Sequence, residues 1–112
     1  MTLYEVKVTR PAFMDLQEIG DYVAKNLQMP DEAERLIGEI SEAVLGLERF
    51  PERSPVIADE DLQEKGIHWI RVRNYLIFYV IDEEILVVHI LRVLYERRNW
   101  KHLLLYPIQI YE

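Results

Sequence analysis

The stretch Gly66–Trp100, GIHWIRVRNYLIFYVIDEEILVVHILRVLYERRNW, decides how this chain folds. It holds three apolar runs, Ile67–Val72, Tyr75–Ile81 and Ile85–Leu94. Arg73-Asn74 separates the first two, and the acidic turn Asp82-Glu83-Glu84 separates the last two. β-Branched and aromatic residues dominate each run, and each is short enough to be a strand. The stretch predicts three consecutive antiparallel strands at the centre of one sheet. It also carries Arg71, Arg73, Arg92, Arg97 and Arg98, so the sheet delivers a cluster of cations.

Upstream, Tyr4, Val6 and Val8 alternate with Glu5 and Lys7, the period of a half-buried strand. Thr9 can cap a helix with Pro11 in its first turn. Ala12, Phe13, Leu16, Ile19, Val23 and Leu27 recur at three- and four-residue steps, which predicts an amphipathic helix. Gly20 inside it points to a second helix passing close by. Pro30 starts that second helix, with Asp31, Glu32 and Glu34 complementing its dipole. Leu36, Ile37, Ile40, Val44 and Leu47 line one face, and Phe50-Pro51 ends it. The short break between the helices makes them an antiparallel hairpin. Glu52–Lys65 reads as a polar connector in which Val56–Ala58 could add an edge strand. Arg97–Leu103 reads as a helical turn or two, and Leu104–Glu112 as an apolar tail.

The grouping of helices apart from strands predicts an α+β fold in one domain spanning residues 1–112. Its two layers are a helix hairpin on a four- or five-stranded antiparallel sheet, in the order β-α-α-β-β-β. The second face of the sheet is expected to be open to solvent or a partner.

The chain has 112 residues, no cysteine and a net charge of −7. A disulfide framework and a thiolate zinc site are therefore excluded. No apolar run is long enough to span a bilayer, and the N-terminus is too short and charged for a signal peptide, so a soluble cytoplasmic protein is expected. The charge is uneven. Residues 1–61 hold 6 Lys/Arg against 14 Asp/Glu, whereas residues 62–102 hold 7 against 5. An acidic whole argues against broad non-specific nucleic-acid binding but leaves room for a local phosphate site among the arginines.

The connector Phe-Pro-Glu-Arg-Ser-Pro, a Gly-Ile ahead of the sheet, Asn-Tyr-Leu-Ile-Phe-Tyr, and the ending Arg-Val-Leu-Tyr-Glu-Arg-Arg-Asn-Trp together resemble the RelE/ParE superfamily over about Leu3–Leu104. The resemblance implies a toxin of a type II toxin–antitoxin module, of the kind labelled plasmid stabilisation proteins. It implies an antiparallel sheet whose first strand pairs with its last, and a cognate antitoxin that wraps the toxin. RelE-like members cleave mRNA on the ribosome; ParE-like members inhibit DNA gyrase. Arg71 falls where cleaving members carry a basic residue. Leu76 stands where they tend to carry an arginine, and the Arg-Val-Leu-Tyr-Glu-Arg-Arg-Asn-Trp ending is closer to ParE-like members. The expectation is a ParE-like gyrase inhibitor. The alternatives are a metal-independent ribonuclease and a degenerate relative that only binds antitoxin. A homodimer stays open.

Arg71 and Arg73, two residues apart on a strand, are expected to share a face with Trp69. Two guanidinium forks beside an indole suit a phosphate and a stacked base. Arg92 and Tyr95 could add charge stabilisation and an acid, making Arg71, Arg73, Arg92 and Tyr95 the candidates for phosphate chemistry. An ordinary reading competes with each: solvating charge, or an ion pair with an acidic neighbour. Trp69, Arg97, Arg98 and Trp100 are the candidates for partner binding. His68, His89 and His102 match no metal spacing, and no phosphate-binding glycine loop occurs, so neither metal nor cofactor is expected.

Overall fold

A computed structural model describes residues 2–105. The predicted tail therefore lies mostly outside the described residues; Leu104 and Leu105 belong to the last helix, where Leu104 is buried. The elements are β1 (Glu5–Val8), α1 (Arg10–Asp21), α2 (Pro30–Gly46), α3 (Glu60–Gln63), β2 (His68–Val72), β3 (Tyr75–Asp82), β4 (Val87–Tyr95) and α4 (Trp100–Leu105). A π-helical turn, Tyr22–Asn26, extends α1, and a short 3₁₀ turn, Pro51–Arg53, follows α2. The fold class is α+β, as the periodicity predicts.

The four strands form one sheet in the order β1-β4-β3-β2. β2, β3 and β4 are antiparallel neighbours, as expected. The first strand does pair with the last, but in parallel, from Glu5 opposite Val87 to Val8 opposite Ile90, so the sheet is mixed rather than wholly antiparallel. Parallel neighbours require a long crossover, and the entire helix hairpin plus β2 and β3 lies between these two strands. No fifth strand forms among the described residues: Val56 makes only an isolated bridge to His68. β4 starts at Val87 rather than Ile85, because Asp82 Oδ1 accepts the N–H groups of Glu84 and Ile85 and curls them into the turn. Arg73-Asn74 forms a two-residue hairpin loop, with Arg73 left-handed at φ 52°.

Thr9 caps α1, its Oγ1 accepting the Ala12 N–H at 3.4 Å. The same hydroxyl donates to the Ile90 carbonyl at 2.7 Å and so ties the cap to β4. α1 and α2 bury Ala12, Val23, Ala33, Leu36, Ile40 and Val44 against Ile77, Tyr79, Val88, Ile90 and Val93 of the sheet. Ile37 of α2 lies beside Gly20, as the second-helix reading anticipates. A Cβ at Gly20 would sit 3.5 Å from Ile37 Cγ1, an ordinary contact, so steric closeness alone does not demand glycine there. Gly66 is different: its φ of 69° favours glycine at the bend that leads into β2.

The second sheet face is not open. Ile57, Leu62, Ile67, Leu76, Phe78, Leu94 and Leu104 form a second apolar cluster, with Trp69, Leu91 and Trp100 packed against it. The connector and the C-terminal segment supply the cover. The connector's net polarity hides the apolar spacing of Ile57 and Leu62, which are buried, and α4 is too short to announce itself by period. The molecule is therefore three-layered. His68 is half-buried and stacks on Tyr79 with ring centroids 5.3 Å apart.

Candidate functional site

The candidate arginines do not converge. β2 alternates as expected: Trp69 packs with the second cluster, whereas Ile70 and Val72 pack with the first. β2 ends at Val72, however, so Arg73 leaves the strand and turns to the helix side, contrary to the shared face expected with Arg71. Its guanidinium donates to both carboxylate oxygens of Glu39, at 3.0 and 2.6 Å, and to Glu32 at 2.8 Å. Hydrogen bonds to Glu39 and then Glu32 raise the Arg73 pKa, and the Arg73 guanidinium in turn lowers that of Glu39. The pairing holds the β2–β3 turn to α2.

Arg92 is bound more deeply. A bulge in β4 breaks the register at Phe78/Tyr79, leaving Leu91 without an opposite residue. Asp15 of α1, only 5% exposed, faces this bulge. It accepts Arg92 Nε at 2.7 Å, Arg92 Nη2 at 2.8 Å and the Val93 N–H at 2.9 Å. One carboxylate thus satisfies a guanidinium fork and a backbone donor that the bulge frees. Asp15 was not singled out from the sequence, although its place one turn from Ala12 on the apolar face of α1 was a readable signal.

Arg71 remains on the second face. Its Nη1 meets Glu96 Oε1 at 2.7 Å, with the Arg71 side chain 48% exposed. Arg71 and Glu96 stand at a cleft of about 410 Å³ lined also by Ile57, Ala58, Asp59, Trp69, Leu76, Phe78 and Trp100. Phe78 and Trp100 form a tilted ring pair with centroids 5.6 Å apart. Trp69 and Trp100 are the two tryptophans of the whole chain, and both line this cleft. Lys101 pairs with Asp59 at 2.8 Å and Asp61 at 3.5 Å, tying α4 to α3 beside it.

Tyr95 is exposed and packs edge-on against Tyr75, with centroids 5.8 Å apart. Burial is the first cause that raises the Tyr75 phenol above its ordinary value. Arg97 and Arg98 are exposed in the turn between Glu96 and Trp100. Neither has a carboxylate partner within ion-pair distance among the described residues. The pairing of Arg71, Arg73 and Arg92 with distant acids was not legible in the sequence, because the partners lie 25 to 77 residues away. Among the described residues, no group of three or more His, Asp or Glu side chains is placed to hold a metal ion. No described helix is long and apolar enough to cross a membrane.

A small α+β domain with a helix hairpin on one face of a mixed four-stranded sheet is a toxin fold of the RelE/ParE kind. The family described as "ParE toxin of type II toxin-antitoxin system, parDE" matches residues 6–100, and the chain belongs to that family. Solved structures share the fold, among them two toxin–antitoxin systems. One is the RelBE2 toxin–antitoxin complex from Mycobacterium tuberculosis, 29% identical, with a TM-score of 0.63 over 85% of this chain and 93% of that one. The other is a chromosomal ParDE system from P. aeruginosa, 21% identical, with a TM-score of 0.69 over 85% of this chain and 98% of that one. Comparison with curated protein sequences finds no match.

Proposed function

We propose that this toxin acts by binding rather than by cutting: a ParE-like inhibitor of DNA gyrase in the cytoplasm, neutralised by a cognate antitoxin. The observation that carries this reading is the occupancy of the strand cations. Arg71, Arg73 and Arg92 each already hold a carboxylate. A phosphoryl site needs such cations free and aimed at developing charge. Arg97 and Arg98 are exposed beside half-buried Trp100, and arginine and tryptophan are enriched among residues that dominate protein interfaces. Trp69, Arg97, Arg98 and Trp100 are therefore the proposed partner-binding residues. The antitoxin partner is supported by the two structural neighbours, both toxin–antitoxin systems by description.

A RelE-like, metal-independent ribonuclease is the second reading. The similarity to the RelBE2 complex favours it, as does the exposure of Arg71, whose single ion pair could yield to a phosphate. Arg71 and Tyr95 would then carry the chemistry, with Arg73 and Arg92 positioning the strands.

A gyrase supercoiling assay run beside a translating extract probed for mRNA breaks separates the two. Inhibition of supercoiling without RNA breaks is expected, with Arg97→Ala or Trp100→Ala each weakening inhibition by about 2 kcal/mol of affinity or more. Ribosome-dependent cleavage that disappears in Arg71→Ala would replace the first reading with the second.

A further inference from the structure

Three segments meet at Tyr4. Its N–H donates to the Glu48 carbonyl at 2.9 Å, and its phenol donates to Glu83 at 2.6 Å with Glu52 at 3.4 Å. The next N–H, of Glu5, donates to the Leu86 carbonyl at 2.9 Å. The start of β1, the end of α2 and the β3–β4 turn therefore form one end of the molecule. Leu3, Leu45, Phe50, Ile85 and Leu86, all large and apolar, are exposed there. Phe50 and Leu86 are also left-handed, at φ 50° and 55°. Glycine or asparagine fits that conformation, whereas a bulky side chain is strained in it. Arg73, another left-handed residue, has a use for its side chain, which holds Glu32 and Glu39. Phe50 is 58% exposed and Leu86 39%, so burial does not account for their size. Two apolar side chains kept at strained, solvent-facing positions point to use by a partner.

We infer that this end is a second docking surface, taken by a basic protein segment that carries apolar side chains. The apolar side chains of the segment cover Phe50 and Leu86, where the gain comes from removing both surfaces from water. Charge selects the occupant. Residues 3–5, 45–53 and 82–86 hold six carboxylates against two cations, Arg49 and Arg53. Glu5, Glu48 and Glu84 are exposed and have no cation within ion-pair distance among the described residues. A second copy of the chain would bring the same acidic rim against itself, and an anionic membrane would be repelled likewise. The surface is separate from Arg97, Arg98 and Trp100. Leu86 precedes the nine-residue β4 and Glu96 follows it, so the two surfaces stand at opposite ends of that strand, about 30 Å apart at the usual rise. A toxin with both surfaces can hold two partners at once.

The probe is the peptide acetyl-Lys-Leu-Leu-Lys-Phe-Leu-Lys-amide, titrated into ¹⁵N-labelled toxin. Controls are the same peptide with Ser for every apolar residue and with Glu for every Lys. Saturable shifts are expected in the amides of residues 3–5, 45–53 and 82–86 with the first peptide, and with neither control. Phe50→Asn/Leu86→Asn keeps residues that tolerate the left-handed backbone and removes both apolar side chains. It should weaken the peptide by about tenfold to a hundredfold, the worth of an interface anchor. Its urea midpoint should be unchanged or higher, because strain is relieved and no buried contact is lost. Glu48→Lys/Glu84→Lys should weaken the basic peptide and strengthen its Glu version. Equal response to the Ser control, shifts centred on residues 97–100, or unchanged affinity or a lowered midpoint in Phe50→Asn/Leu86→Asn would overturn the assignment. So would self-association of the wild type that this variant abolishes, or no response at low-millimolar peptide. The titration uses neither gyrase nor ribosome, so its failure leaves the supercoiling result standing.

Discussion

Asp15 is the residue on which the geometry of β4 turns. Its carboxylate is buried, and it satisfies both the Arg92 fork and the Val93 N–H at the bulge. Asp15→Ala would leave a half-buried guanidinium and a strand N–H without their acceptor. It should cost about 3–5 kcal/mol in urea unfolding, the usual result of breaking a buried pair from one side. Arg92→Met in that background should recover part of the loss, because the stranded charge is gone; a strictly additive double variant would show that the two residues act independently. The sequence displayed the arginines and the acids but not their pairing. A fork and a carboxylate 77 residues apart carry no local signature. Arg73 illustrates the same limit: strand periodicity placed it beside Arg71, and a left-handed turn residue broke that period.

At the scale of elements, the long amphipathic segments were legible and the short ones were not. α2 starts at Pro30 as the proline and the acidic first turn indicate, because hairpin helices are held by continuous apolar faces. α3 has only four residues and α4 six, too few for a period to show, so the cover on the second face went unread. α4 is held by Lys101 as well as by Trp100. The hydrogen bond from Lys101 holds the Asp59 carboxyl below the ordinary carboxylate range, and Asp59 raises the Lys101 ammonium above its own. The signs are opposite. The Asp59 contribution is present above the unfolded carboxyl pKa, about 3.9, and is lost as pH falls through the lowered folded value. The Lys101 contribution is present below the unfolded ammonium pKa, about 10.4, and is lost as pH rises through the raised folded value. Docking of α4 should therefore be firmest across the neutral range and loosen in acid. Both partners are partly exposed, so the effect is small and screened by salt. Hydrogen exchange of amides 100–105, compared with those of α2 after correction for intrinsic rates, reads it. Protection that stays flat from neutral pH to below the carboxylate range would remove the ion pair from the account.

The whole molecule is one sheet with an apolar cluster on each side. Ile77 and Tyr79 face the helix hairpin while Leu76 and Phe78 face α3 and α4, so β3 belongs to both layers. Phe78→Ala should cost about 3–5 kcal/mol. Indole fluorescence reads the second cluster, whereas far-ultraviolet circular dichroism reads chiefly the helix hairpin. Through the shared strand the two signals should unfold in one coincident transition; an earlier fluorescence midpoint would show that the second layer opens alone. The pairing of β1 with β4 joins residues 82 positions apart, Glu5 with Val87. Synthesis runs from the N-terminus at about 5–20 residues per second, so β1 waits several seconds for its neighbour to be made. Until then the first strand has no mate, Asp15 has no bulge to close, and Thr9 has no carbonyl on β4 to hold. A shortened product ending before Val87 lacks all three ties. The toxin is thus a molecule assembled late, in which the last-made strand gives the first-made one its place.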